Sequence, residues 1–324
     1  MNIFENALEF VRQGREFSVL SKYSPTGIIK GISGRKEAVR GGFSSFGDEG
    51  AELSEYYALK PRLIVFGGGH IALPLTSIGA MCGFEVAVYD DRPAFANAKR
   101  FPYAAKTLCD SFDNVANHIA LSDRDYVVIV TRGHRNDQDC LRYVLAQGVE
   151  PFYCGMIGSK RRVAIVLNQL RDEGYPADRI EKINSPIGLD IGAVTPEEIA
   201  VAIVGQLIEY RRRDDRRGHY HGNFQFAPEE IERLAESDGA ALLTVVRTDG
   251  STPREEGARM IIFSDGSTFG TIGGGCSEAD AARQARQVLD TERGWGVYAV
   301  DMTDDADEDG MVCGGSMKVL IERI

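Results

Sequence analysis

Cys276 stands behind three glycines, in Gly273-Gly274-Gly275-Cys276-Ser277-Glu278, and leads into a helix-compatible stretch from Ala279 to Leu289. Backbone N–H dipoles at such a place favour thiolate over thiol. Cys276 is therefore the first candidate for a reactive or metal-ligating sulfur, with Gly274 and Gly275 framing it. A second thiol, Cys313, also adjoins glycines, in Val312-Cys313-Gly314-Gly315-Ser316, behind an acidic run from Asp304 to Asp309 that reads as a solvated loop. Thiolates are soft ligands suited to sulfur transfer or to a thiophilic metal; a buried, inert cysteine is the alternative. The six cysteines include no CxxC pair, so their spacing indicates neither a zinc ribbon nor a disulfide framework.

A second chemistry lies in Gly67-Gly68-Gly69-His70-Ile71-Ala72, a GxGxxA pattern directly after the apolar run Leu63 to Phe66. A glycine turn between strand and helix lets a pyrophosphate approach backbone N–H groups at the positive helix end. Asp90 closes the next apolar run, 23 residues beyond Gly67, where a carboxylate can accept from a ribose diol. The same residues also fit a purely structural role, the glycines allowing tight helix packing and Asp90 capping a turn. Gly158, Ser159 and Lys160, in Gly155-Met156-Ile157-Gly158-Ser159-Lys160-Arg161-Arg162, offer a second phosphate cradle without Walker A spacing, or a simple helix entry with Ser159 as N-cap. His134, near Asp137, follows a third apolar run and is a candidate acid, base or ligand, or an exposed loop histidine.

These residues need a scaffold that gathers them. The runs Leu63–Phe66, Val86–Tyr89, Tyr126–Val130 and Phe152–Cys154 alternate with helix-compatible segments, the pattern of a parallel sheet covered on both faces. Residues 60–213 are thus read as a doubly wound α/β domain. Its closing helix is expected to start with Thr195 as N-cap and Pro196 at the first position. Polar residues 214–227 read as a linker, and 228–324 as a smaller α+β domain with a helix from Pro228, runs Ala241–Val246 and Met260–Phe263, and a final strand at Met317–Ile321. In residues 1–59 a helix-like Ala7–Gly14, an apolar Phe17–Leu20 and a turn at Ser24-Pro25-Thr26-Gly27 echo the opening of that second domain. Either a degenerate partial copy or chance similarity of a short unit accounts for the echo.

The chain has 324 residues, enough for two folded units, and a formal charge of -11. That charge repels phosphate backbones and anionic lipid at long range, so neither nucleic acid nor a membrane surface is expected as partner. Arg211, Arg212, Arg213, Arg216 and Arg217 form a local basic cluster, read as a solvated helix end or a small-anion site. No stretch approaches the roughly 18 apolar residues of a membrane span. Met1 to Gly14 lack a signal-peptide pattern, so a cytoplasmic protein is expected.

Taken together, the motifs resemble the XdhC/CoxI family, accessory proteins of xanthine dehydrogenase and related molybdenum hydroxylases. The resemblance rests on Val65 to Ala72, Thr131 to Asp137, Gly155 to Arg161 and Ser185-Pro186-Ile187-Gly188-Leu189-Asp190-Ile191-Gly192-Ala193. In the small domain it rests on Gly250-Ser251-Thr252-Pro253-Arg254, Gly257-Ala258-Arg259-Met260, Gly273 to Glu278 and Cys313-Gly314-Gly315. It implies a Rossmann-like domain and a chaperone-like rather than enzymatic role: binding molybdenum cofactor (molybdopterin), protecting it during sulfuration and delivering it to an apo molybdenum hydroxylase. It also implies a cysteine desulfurase-type sulfur donor as partner and a homodimer, with Cys276 contacting the metal end of the cofactor and Cys313 supporting it. The small domain follows the Rossmann-like one here, the reverse of the family's usual order. The alternatives from the residues themselves are an NAD(P)-dependent oxidoreductase, a thiol redox protein using Cys276 and Cys313, and a docking module that binds no nucleotide.

Overall fold

A computed structural model describes residues 3–34, 42–45, 49–213, 224–237, 239–301 and 315–324. The chain divides into two compact units, Lys60–Asp214 and a bipartite one made of Met1–Leu59 with Asp215–Ile324.

The bipartite unit begins with α1 (Ile3–Arg12), β1 (Phe17–Ser24), β2 (Gly27–Gly34), β3 (Gly42–Ser45) and β4 (Ala51–Tyr57). The Lys60–Asp214 unit follows with β5 (Arg62–Phe66), α2 (Ala72–Met81), β6 (Glu85–Asp90), β7 (Lys106–Cys109), β8 (Tyr126–Ile129), α3 (His134–Ala146), β9 (Tyr153–Met156), α4 (Lys160–Asp172), α5 (Ala177–Glu181) and α6 (Pro196–Arg213). Its five strands are parallel and ordered β7-β6-β5-β8-β9, so the expected doubly wound α/β class holds. The continuous apolar runs have a direct cause. On β5 and β8, Ile64, Phe66, Val127 and Ile129 pack on one face with Leu141 and Val166 of α3 and α4. Leu63, Val65, Tyr126 and Val128 pack on the other with Leu75 and Ile203 of α2 and α6. Both pleat faces are buried, so no polar alternation survives. At α6 the Thr195 hydroxyl accepts from the Glu198 amide at 3.3 Å and Glu198 accepts from the Thr195 amide at 3.0 Å, a reciprocal capping box.

The rest of the bipartite unit is α7 (Pro228–Glu236), β10 (Ala241–Asp249), β11 (Arg259–Ile262), β12 (Thr268–Gly270), α8 (Gly275–Leu289), β13 (Trp295–Asp301) and β14 (Ser316–Arg323). It holds two antiparallel sheets, β2-β1-β4-β3 and β12-β11-β10-β14-β13. Phe4, Phe17 and Tyr57 from the beginning of the chain share one core with Phe226, Ile231, Leu242 and Ile261. The linker expected over 214–227 is corrected accordingly at its end. Phe224 and Phe226 are buried, and Phe226 donates its amide to the Tyr56 carbonyl at 2.8 Å, because two phenyl rings two positions apart supply the alternation an extended core-facing segment needs. Residues 214–223 of that reading, including His219, His221, Arg216 and Arg217, lie outside the described residues.

Candidate functional site

Parallel strands put all their carboxyl ends on one edge, and the strand order reverses between β5 and β8. The loops after those two strands therefore flank the crevice where ligands of such sheets collect. Gly67, Gly68, Gly69 and His70 follow β5, Asp90 ends β6, His134 opens α3 after β8, and Gly158, Ser159 and Lys160 follow β9. The fold thus gathers these sequence-derived candidates on one edge.

Two of the three glycines in the turn are required by close approach of the protein itself. Gly67 has φ 104°, and a Cβ there would meet the Val130 carbonyl oxygen at 2.5 Å; a Cβ on Gly68 would lie 1.9 Å from the Phe95 carbonyl oxygen. Gly69 is different, since nothing lies within 4 Å of its Cβ position. Helix α2 begins three residues later without a side-chain cap, which leaves its first-turn N–H groups and positive dipole end available to an anion.

Asp90 is buried and already engaged. It accepts the Gly68 amide at 2.8 Å, the Arg92 amide at 3.0 Å and the Arg92 guanidinium at 2.8 and 2.9 Å. Burial pushes its carboxyl up, yet the hydrogen bonds from Arg92 and Gly68 outweigh that and hold it below the usual range. Arg92 and Arg100 lie over the Phe95 ring, 3.7 and 4.9 Å from its centroid, and Arg100 donates to the Gly68 carbonyl at 3.1 Å. Arg132, after β8, reaches Asp91 at 2.8 Å. Arg92 and Arg100 are absent from the sequence-derived candidates; the Asp90-Asp91-Arg92 cluster at a strand end was the available signal.

Beside β8, Asp137 of α3 is fully enclosed. The Thr131 hydroxyl donates to it at 2.5 Å, and Arg162 of α4 forms an ion pair with it. Burial still raises its carboxyl, against the pull of Thr131, Arg162 and nearby His134. Ser159 caps α4, its hydroxyl accepting the Arg162 amide at 3.3 Å. Cys140 and Cys154 are buried in the core, where burial pushes both thiols up, that of Cys154 to about 12, so neither is a nucleophile.

In the bipartite unit, Gly274 is the N-cap of α8, with φ 80°, and Cys276 is the second residue of that helix. Glu278 folds back over the glycine loop, accepting from the Thr271 hydroxyl at 2.5 Å and from the Ile272 and Gly274 amides at 3.1 and 2.9 Å. Burial opposes its ionisation, but these donors hold its carboxyl below the usual range. The loop's inner N–H groups thus serve Glu278. Gly275 and Cys276 lie beyond them, in the first turn of the helix, where the dipole acts. Cys313 lies outside the described residues. Among the described residues no group of three or more His, Cys, Asp and Glu side chains is arranged to hold a metal ion, and no helix is long and apolar enough to cross a membrane.

A doubly wound sheet with a glycine turn at its switch point defines a Rossmann-type domain, joined here to an α+β unit bearing a glycine-cysteine helix start. Residues 63–207 match the XdhC Rossmann domain and residues 233–298 match the XdhC and CoxI family; the chain belongs to the XdhC and CoxI family. It is 33% identical over 154 residues to a probable xanthine dehydrogenase component of Bacillus subtilis (strain 168), covering 48% of this chain and 44% of that protein. Over 63 residues it is 38% identical to the molybdenum cofactor insertion chaperone PaoD of Escherichia coli (strain K12), covering 19% of this chain and 20% of that one. The chain thus spans less than half the length of these curated relatives. Among solved structures, a xanthine dehydrogenase from Bacillus halodurans is similar with a TM-score of 0.52 and 28% identity, covering 64% of this chain and 63% of that one.

Proposed function

We propose that this protein is a maturation factor for molybdenum hydroxylases of the xanthine dehydrogenase type, one that binds molybdenum cofactor, holds it during sulfuration and hands it to the apo-enzyme. The observation that carries the reading is the crevice edge of the parallel sheet: an uncapped α2 terminus beside open space at Gly69, with His70, His134 and Ser159 on the same edge. This suits a phosphate- or nucleotide-bearing ligand. When bound, the cofactor brings such an anionic end together with a thiophilic molybdenum centre. Gly69 and the first turn of α2 would hold the anion and His70 and His134 would orient it; Cys276, in the first turn of α8, is by itself the candidate contact for a thiophilic metal. The relative named as a cofactor insertion chaperone supports the same role.

The engaged state of Asp90 weighs against the oxidoreductase alternative. A ribose diol would have to displace Arg92, itself one-quarter exposed, from the buried Asp90 carboxylate, which it meets in two side-chain contacts under 3 Å, a costly exchange. The test is reconstitution: an apo molybdenum hydroxylase supplied with cofactor and a cysteine desulfurase should gain sulfurated, active enzyme faster with this protein than without it. An equal rate in both arms, with NAD(P)H consumed when small substrates are offered, would replace the proposal with the oxidoreductase reading.

A further inference from the structure

The two sheets of the bipartite unit repeat one another. β1 pairs with β2 and β4 as β10 pairs with β11 and β14, and the orders β2-β1-β4-β3 and β11-β10-β14-β13 coincide, the second extended by β12. The registers agree residue by residue as far as Val245, beyond which the β10–β14 pairing shifts between Val245 and Arg247. Ser21 lies opposite Lys30 and Val19 opposite Glu55; Thr244 lies opposite Arg259 and Leu242 opposite Glu322. Lys30 and Arg259 therefore hold equivalent positions, and so do Glu55 and Glu322. The helices follow suit: α1 buries Phe4 and Ala7, and α7 buries Ile231 and Leu234, with the same spacing.

Each half thus carries a base on its second strand and an acid on its last, and these groups pair crosswise. Lys30 Nζ lies 2.8 Å from Glu322 Oε2, and Arg259 Nη2 lies 2.8 Å from Glu55 Oε1, with both acids and Arg259 almost wholly buried. The base of one half takes the acid of the other, and the reverse. That is the contact pattern a two-fold axis imposes on a self-complementary interface, where i meets j and j meets i. The resemblance of two short helix-strand units by chance does not produce reciprocal exchange of buried charge at matching register positions. The largest difference between the halves lies in one connection. Between β11 and β13 the C-terminal half carries β12, the glycine-cysteine turn and α8, whereas residues 35–41 alone separate β2 from β3.

We propose that residues 3–57 are a second, reduced copy of the half formed by residues 228–323, and that it occupies within the chain the face that otherwise fits another copy of that half. The bipartite unit is a dimer-like assembly fused into one polypeptide, with the glycine-cysteine element kept in one half only.

The test is made in the full chain. Lys30→Glu combined with Glu55→Lys sets an acid against Glu322 and a base against Arg259, so the N-terminal half is rejected. The exposed face then pairs with the same face of a second chain, Arg259 to Glu322 in both directions. Light scattering after gel filtration should show twice the wild-type mass, with a lowered thermal midpoint. Adding Arg259→Glu and Glu322→Lys restores opposite charges within the chain and should bring both readings back towards wild type. A double variant with unchanged mass and midpoint overturns the proposal. So does a fourfold variant that recovers neither, and this second variant decides the matter if the first does not fold.

Discussion

The Gly68 amide donates to the Asp90 carboxylate at 2.8 Å, tying the glycine turn after β5 to the end of β6. The residue that the dinucleotide reading assigns to a ribose is therefore a strut of the turn. Asp90→Asn keeps the shape and removes the charge, which should cost about 2 kcal/mol at pH 7, the scale of hydrogen bonds to a charged group. The pH dependence has a definite sign. Because the Asp90 carboxyl is held low in the folded state, its contribution is fully present above the ordinary carboxylate range and fades as pH falls through the lowered value. The gap in thermal midpoint between wild type and Asp90→Asn should be widest near neutrality and narrow below about pH 4.

The neighbouring glycines should respond in opposite ways. Gly68→Ala forces a methyl against the Phe95 carbonyl, 1.9 Å from its oxygen, and should destabilise the fold by at least about 1–3 kcal/mol, the range for overpacking. Gly69→Ala meets open space and should melt close to wild type while weakening cofactor retention, since the methyl enters the proposed anion pocket. Thermal melts and cofactor binding, run on both variants, separate turn architecture from ligand binding.

Arg162→Ala leaves Asp137 enclosed without its guanidinium. The loss should be about 2 kcal/mol, below the roughly 3–5 of a fully buried pair because Arg162 is one-quarter exposed. Asp137 is already raised by burial, and removal of Arg162 raises it further. An acid raised in the folded state withdraws stability as pH climbs from its unfolded value through its folded one. The variant should therefore lie nearest wild type around pH 4 and fall behind towards pH 7, as read from denaturant midpoints.

How far the sequence announces this molecule depends on where the information is local. The strands β5, β6 and β8 are legible because burial on both faces writes continuous apolar runs, and the Thr195 cap because its chemistry is local. β7, Lys106–Cys109, is a short edge strand with exposed and half-buried residues only, so no pattern marks it. β2, from Gly27 to Gly34, has no buried residue at all. The Arg259–Glu55 pair joins residues 204 positions apart, a relationship that no window of sequence contains. At the site, types and spacing point to the glycine turn, Asp90 and His134. They do not reveal that Asp90 faces inward to Arg92, because an acid at a strand end looks the same whether its partner is a ligand or the next arginine but one.

Cys276→Ala changes one atom group in the first turn of α8, where an alanine is compatible with helix. Its circular dichroism and melting should match wild type. Its cofactor complex should lose molybdenum faster than pterin, because only the metal end is proposed to depend on the Cys276 sulfur.

The most direct measurement is anaerobic incubation of the purified protein with isolated molybdenum cofactor, followed by gel filtration and by molybdenum and pterin analysis of the protein peak. Co-elution near one cofactor per chain, reduced in Gly69→Ala and stripped of metal in Cys276→Ala, is the predicted result. A protein peak free of molybdenum and pterin from a well-folded wild-type sample would contradict the maturation role.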